Sequence, residues 1–166
     1  MAQEKQPERS MEARVGRDNQ RYGPRGERLV AGVVPLSQSK DQVLLIQSSS
    51  RKGWVLPKGG WEADEPSEAE AACREAWEEA GIHSAIERDL GFVDEKRTDE
   101  QIKKGGPHAP RALYRWFEVR VTKEEETWPE AHKRSRMWMS YAEARSRLAD
   151  RPELLEALER SSIKKT

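Results

Sequence analysis

Up to about residue 26 the chain is polar and lacks apolar periodicity; the texture changes at Arg28. RLVAGVVPL (28–36) and, after the polar turn SQSKD, QVLLIQS (42–48) are short apolar runs that predict a β-hairpin. SSSRKG is a small basic loop, WVLP a short strand, and KGGWEADEP (58–66) a glycine- and acid-rich loop. SEAEAACREAWEEA (67–80) predicts a helix, with Pro66 at its entry and Gly81 as its stop. Further strands are expected over 84–87, over 90–96 and, most clearly, in ALYRWFEVRV (112–121). The polar connection 97–111 is longer than a hairpin turn needs, which makes it a candidate functional loop. A second polar stretch (122–136) leads to the short strand MWMS and a terminal helix interrupted near Pro152. This order predicts an α+β fold with a mixed sheet, not a repeating βαβ array. The expected organisation is a largely disordered segment 1–26, one domain over 27–160 and a polar tail 161–166.

Composition narrows the partners. In 166 residues the formal net charge is zero, so no bulk attraction to nucleic acid or membrane is expected. No apolar run approaches the roughly 18 residues of a membrane span, and the first residues lack a secretory signal's apolar stretch. One cysteine, Cys73, excludes an internal disulfide and a multi-cysteine zinc site. The expectation is a soluble monomeric domain of the cytoplasm, extending to the nucleus, although a processed secreted form would look the same.

The helix carries the chemistry. Placed on a wheel at about 100° per residue, Ala69, Ala72, Cys73, Ala76 and Ala80 form a small-residue arc that can lie close against a sheet. Glu68, Glu75 and Glu79 share another arc, with Glu78 beside them. Glu75 and Glu79 are one turn apart, where like charges repel, so a compensating cation is expected. Mg²⁺, with Mn²⁺ as a substitute, suits such carboxylates and would also bridge phosphate oxygens. Arg74 can orient one carboxylate or tie down the preceding loop. The alternative is an ordinary solvated acidic face.

The stretch KGGWEADEPSEAEAACREAWEEAGI (58–82) resembles the Nudix box. Arg74-Glu75-Ala76-Trp77-Glu78-Glu79-Ala80-Gly81-Ile82 matches its second half at every fixed position. Gly59 and Glu65 are correctly spaced from each other, but eight residues, not seven, separate Glu65 from Arg74. The extra residue must be absorbed before the helix, which puts the role of Glu65 in doubt. The resemblance covers about 28–160 and implies the Nudix sandwich, a mixed sheet between helices. It also implies hydrolysis of a diphosphate linked to another group. By resemblance Glu75 and Glu79 are metal ligands, Glu78 is the general base with a share in the metal, Arg74 supports catalysis, and the carbonyl of Lys58 or Gly59 completes the inner shell.

SSSRKGWVLPKGGWE (48–62) further resembles the diphosphoinositol polyphosphate phosphohydrolase branch of that family, particularly its fungal members. That resemblance implies removal of the β-phosphate of diphosphoinositol polyphosphates, with diadenosine polyphosphates and inorganic polyphosphate also cut. Such ligands need many cations at one mouth. The candidates are Arg25, Arg28, Ser49, Ser50, Arg51, Lys52, Lys58, Arg111, Arg115, Lys133, Arg134, Arg136 and Arg151, with Lys103, Lys104 and His108 on the long loop. Each taken singly could equally be a solvated surface charge. Trp61, beside the expected metal site, could pack or could touch an adenine. Two other readings stay open: a Nudix enzyme for dinucleotide polyphosphates or RNA 5′ ends, and a catalytically silent module that binds inositol phosphates or a protein.

Overall fold

The computed structural model describes residues 9–49, 52–95 and 111–166. Its strands join in one mixed sheet: β1 (Arg28–Leu36), β2 (Val43–Gln47), β3 (Trp54–Val55), β4 (Lys58–Gly60), β5 (Ile82–Asp94), β6 (Ala112–Glu124) and β7 (Arg136–Met139). The main path runs β3-β2-β1-β6-β5, with β4 added to β1 and β7 to β2. Among the described strands only β1 and β6 pair in parallel, over Arg28↔Ala112 to Leu36↔Arg120; the other pairs are antiparallel. Helices α1 (Glu68–Ala80), α2 (Tyr141–Arg147) and α3 (Pro152–Arg160) complete the described elements.

Strand β1 is buried at every position from Val30 to Leu36. Successive side chains of a strand point to opposite faces, so both faces are covered, as a central strand of a layered α+β fold requires. Against it lie Ala71, Ala72, Ala76 and Ala80 of α1, all inaccessible, together with Leu154, Ala157 and Leu158 of α3 in the same core. The alanines remove the bulk that would hold the helix away from the sheet. No helix among the described residues is long and apolar enough to cross a membrane.

Several expectations change in detail. Lys58–Gly60, expected in a loop, is a strand: Gly32, Ala31 and Val30 of β1 pair with Lys58, Gly59 and Gly60. The second edge of β1 therefore forks, with β2 at Leu36 and β4 at Val30–Gly32. The two strands expected after Gly81 are one strand, β5, bent by irregularities at His83/Ser84, Ile86/Arg88 and Asp89/Gly91. Such extra residues interrupt the alternation by which a strand is recognised. The polar start was expected to be largely disordered, but among the described residues Ser10, Arg14 and 19–21 are held against the loop 61–65 and α1. Their arginine and glutamine side chains find carbonyls and carboxylates there, partners that a periodicity search does not register. The tail is also docked: the buried Glu118 accepts from the Ser162 amide at 2.6 Å and from its hydroxyl at 2.7 Å, and Ile163 is buried. The long connection expected at 97–111 lies, except for Arg111, outside the described residues.

Helix α1 starts where Ser67, in extended conformation, accepts from the Glu70 amide at 3.2 Å. It stops at Gly81, whose φ of 68° is the left-handed conformation that glycine tolerates best. Replacing Ser67 by Ala should lower the unfolding free energy by about 1 kcal/mol, while Ser67→Asp should retain it; urea denaturation of the three proteins measures both.

Candidate active site

Helix α1 turns four charged side chains inward: Arg74, Glu75, Glu78 and Glu79 are only 7%, 9%, 4% and 7% exposed. Charge is buried this deeply only when it is paired. Arg74 supplies the pairing. Its Nε and Nη2 donate to the two oxygens of Glu65 at 2.8 and 2.9 Å, and Nη2 also donates to the Gly60 carbonyl at 3.0 Å. Its Nη1 reaches Glu78 Oε2 at 2.9 Å and Glu75 Oε1 at 3.0 Å. These carboxylates raise the guanidinium pKa despite the opposing effect of burial.

Glu65 thus meets Arg74 through a two-pronged contact although one extra residue lies between them. The loop absorbs the insertion by closing on itself. The Glu65 amide donates to the Glu62 carbonyl at 3.0 Å, the Glu62 amide to Glu65 Oε1 at 3.1 Å, and the Trp61 indole to the Glu65 carbonyl at 3.0 Å.

Glu75 and Glu79 form the second half of the site. Burial, then the Glu79 charge, pushes the Glu75 carboxyl well above the usual carboxylate range. Burial pushes Glu79 up as well, against the opposing charges of Lys58 and Arg134. The Lys58 amide donates to Glu79 Oε1 at 3.2 Å. A Cβ on Gly59 would stand 2.1 Å from the Glu75 carboxyl carbon, so only glycine leaves room for that carboxylate. Among the described residues no three Asp, Glu, His or Cys side chains are grouped to hold a metal ion by themselves. The oxygen pair still fits a magnesium-like ion, which takes one or two carboxylates and completes its shell from water and phosphate.

Glu78 shares Arg74 Nη1 with Glu75 and links the pair to the N-terminal segment. Its Oε2 is on Arg74, and its Oε1 accepts from the Arg14 amide at 3.0 Å. Arg14 also reaches Glu62 at 3.0 Å and Asp64 at 2.7 Å, and the Trp77 indole donates to the Ser10 carbonyl at 2.8 Å. A cleft of about 620 Å³ lies between residues 9–19 and this side of α1.

Of the expected basic residues, the structure brings four toward the carboxylate pair. Lys58 lies on β4, and burial pushes its ammonium down, with Glu79 the leading opposing charge. Arg28 is half-buried, lowered by burial and then by Arg17, and supported by Glu75. Arg134 Nη2 is 4.0 Å from Glu79 Oε2 and donates to Ser49 Oγ at 3.1 Å, while its Nε is held by Glu130 at 2.7 Å. Arg151, which acts electrostatically on Lys58, leans on Glu153 at 3.4 Å and lines a small cavity with Ser48, Lys52 and Trp54.

Three others are occupied differently. Arg136 closes the end of α1, donating to the Ala80 carbonyl at 2.8 Å and the Glu125 carbonyl at 2.6 Å over the Trp128 ring. Arg25 sits in the exposed turn between Gly23 and Glu27, and Arg111 is exposed, with its carbonyl accepting from the Arg28 amide. Ser50 and Arg51 lie outside the described residues, as do Lys103, Lys104 and His108. Cys73 is half-buried, and burial raises its thiol pKa, which is the opposite of nucleophile activation. Sequence reasoning missed Arg14, Gln20 and Glu130. The first two lie in a stretch without pattern, and Glu130 is one carboxylate among several in a polar run.

A model of the NUDIX domain matches residues 26–160. Nudix hydrolase 4 of Arabidopsis thaliana is 41% identical over 146 residues, covering 82% of this chain and 66% of that protein. The mitochondrial Nudix hydrolase 16 of the same plant is 42% identical over 147 residues, covering 80% of this chain and 78% of its own. This chain thus spans just under two thirds of the length of the first relative. A solved NUDIX hydrolase from Nitrosomonas europaea shares the fold with a TM-score of 0.66 at 20% identity, covering 81% of this chain and 87% of that one. The plant names state a family and no substrate, so they do not carry the narrower resemblance to a fungal diphosphoinositol branch. Together with the buried Arg74–Glu75–Glu78–Glu79 helix, the match over 26–160 establishes that the chain belongs to the Nudix hydrolase family.

Proposed function

We propose that this chain cleaves diphosphate linkages in small polyphosphorylated molecules with the help of Mg²⁺ or Mn²⁺. In its narrower form, the substrates are diphosphoinositol polyphosphates, with diadenosine polyphosphates and polyphosphate also cut. One observation carries the reading. Two buried, like-charged carboxylates, Glu75 and Glu79, adjoin two cations, Lys58 and Arg28, that have no carboxylate within ion-pair distance among the described residues. Among the described residues the carboxylates meet Arg74, 3.0 Å from Glu75 and shared with two other glutamates, and Arg134, 4.0 Å from Glu79, while the two cations meet no carboxylate; a divalent cation bound to a diphosphate would supply what both halves lack.

Glu75 and Glu79 would hold the ion, with the carbonyl of Lys58 or Gly59, and the bound ion would neutralise the diphosphate and activate water. Lys58, Arg28, Arg134, Ser49 and Arg151 would receive phosphate oxygens, the arginines two at a time. Glu78 would accept the proton of the attacking water. Arg74 and the Arg14 amide fix its orientation, and a carboxylate retains further lone pairs beyond the two they use. Trp61 favours the inositol reading over the dinucleotide one. Its indole nitrogen is committed to the Glu65 carbonyl and Arg21 covers its ring at 4.3 Å, so that face is closed to an adenine.

Incubation with a 5-diphosphoinositol phosphate, diadenosine hexaphosphate, polyphosphate and 5′-triphosphorylated RNA, each with and without Mg²⁺, tests the proposal. Turnover of the inositol substrate only with the metal is expected; cleavage of RNA alone would overturn the narrower reading, and no turnover of any would overturn both. Glu79→Gln should abolish turnover in a protein that still melts cooperatively. Glu78→Gln should lower kcat by roughly 10²–10⁴-fold, the range for a lost general base; a smaller loss would reduce Glu78 to a partner of Arg74.

The carboxylate pair also sets a stability signature. Because its pKa values are raised on folding, the folded chain binds protons that the unfolded chain has released, so this contribution falls as pH rises. The metal-free Glu75→Gln protein should therefore gain melting temperature over the parent as pH is raised from acid to neutral, and Mg²⁺ should narrow the gap. A gap that does not change with pH would contradict the buried like-charge pair.

A further inference from the structure

Residues 19–22 are stitched to the loop that precedes α1. The Arg21 amide donates to the Trp61 carbonyl at 2.9 Å, and the Ala63 amide to the Asn19 carbonyl at 2.7 Å. At the centre of this seam stands Gln20. Its Nε2 donates to the carbonyls of Arg21 at 2.7 Å and Leu29 at 2.8 Å, which fixes the amide in one orientation. Its Oε1 accepts from Arg28 Nε at 2.9 Å. A Cβ on Gly60 would fall 1.9 Å from that oxygen and 3.2 Å from Arg28 Nη2, so amide and guanidinium together fill the space beside Gly60.

This contact selects one edge of the guanidinium. Arginine can present either its Nε side or its terminal nitrogens, and holding it still costs rotamer entropy. Gln20 takes the Nε side, and among the described residues no hydrogen bond or ion pair occupies the terminal nitrogens. The partner is also neutral. A carboxylate in its place would pair with Arg28 and cancel the charge; an amide directs the cation without spending it. Arg28 is therefore left half-buried, aimed and uncompensated next to Glu75.

We propose that Gln20 is a positioning residue of the active site, which holds Arg28 so that its terminal nitrogens receive a phosphate group of the ligand beside Glu75. The inference rests on the polyphosphate reading above and adds to it a residue from outside the segment matched by the domain model.

Calorimetric binding of inositol hexakisphosphate, which needs no turnover, tests it on the full chain. Gln20→Leu and Arg28→Ala should each weaken binding about tenfold, as expected for one hydrogen bond to a charged group, and the double variant should bind no worse than Arg28→Ala. Arg28→Lys keeps the charge but offers Gln20 no Nε–H; it should lose as much affinity as Gln20→Leu while melting with the parent. Additive losses, or an Arg28→Lys protein with parental affinity, would overturn the positioning role while leaving the ligand class intact. A parent protein that fails to bind the hexakisphosphate would overturn the ligand class and, with it, this inference.

Discussion

The site is built around a single buried guanidinium. Arg74 is nearly inaccessible, and a charge in that position is tolerable only if it is paired and hydrogen-bonded. Its partners come from three places in sequence: Glu65 from the loop, the Gly60 carbonyl from β4, and Glu75 and Glu78 from α1 itself. Satisfying one side chain therefore fixes where the loop ends, how the helix is rotated and how near β4 lies. The alanine face and Gly59 permit that closeness, whereas Arg74 gives it direction.

With the helix fixed, the remaining charges are arranged for something other than stability. A fold selected for its own stability would set Lys58 against Glu79 and Arg28 against Glu75 as ion pairs. Here the carboxylates share one small space and have raised pKa values, while the two cations are lowered by burial. The forked edge of β1 makes this arrangement possible. It brings Lys58 and Gly59 alongside the same strand that begins with Arg28. Lys58, placed by the pairing of β4 with β1, and Arg28, held by the Gln20 side chain, stand without a carboxylate partner among the described residues, at a cost that a polyanion would recover.

Much of this was legible in the sequence because it rests on local pattern. The helix boundaries follow from Pro66 and Gly81, the inward carboxylates from one-turn spacing, and the hairpin from two apolar runs. What was illegible has physical causes. The short strand β4 is made by pairing with β1 and has almost no apolar content of its own, so Lys58–Gly60 read as loop. Glu65 looked displaced by one residue because linear spacing does not register a loop that folds back on itself. Gln20 and Arg14 act through backbone carbonyls and amides, whose positions exist only after folding. Arg136 matched the expected basic cluster by composition, yet its geometry commits it to the end of α1.

The strap of residues 9–22 bears on where this domain begins. The family match opens at residue 26, and a boundary drawn there would look natural, since everything before it is polar. It would cut through the seam at Gln20 and Arg21 and expose the Trp61, Ala63 and Glu65 carbonyls that these side chains and their backbone now cover. The hydrogen-bonded frame of the site therefore reaches beyond the matched segment. A shortened version trimmed to the match would keep all of the α1 glutamates and lose the frame that holds the preceding loop against them.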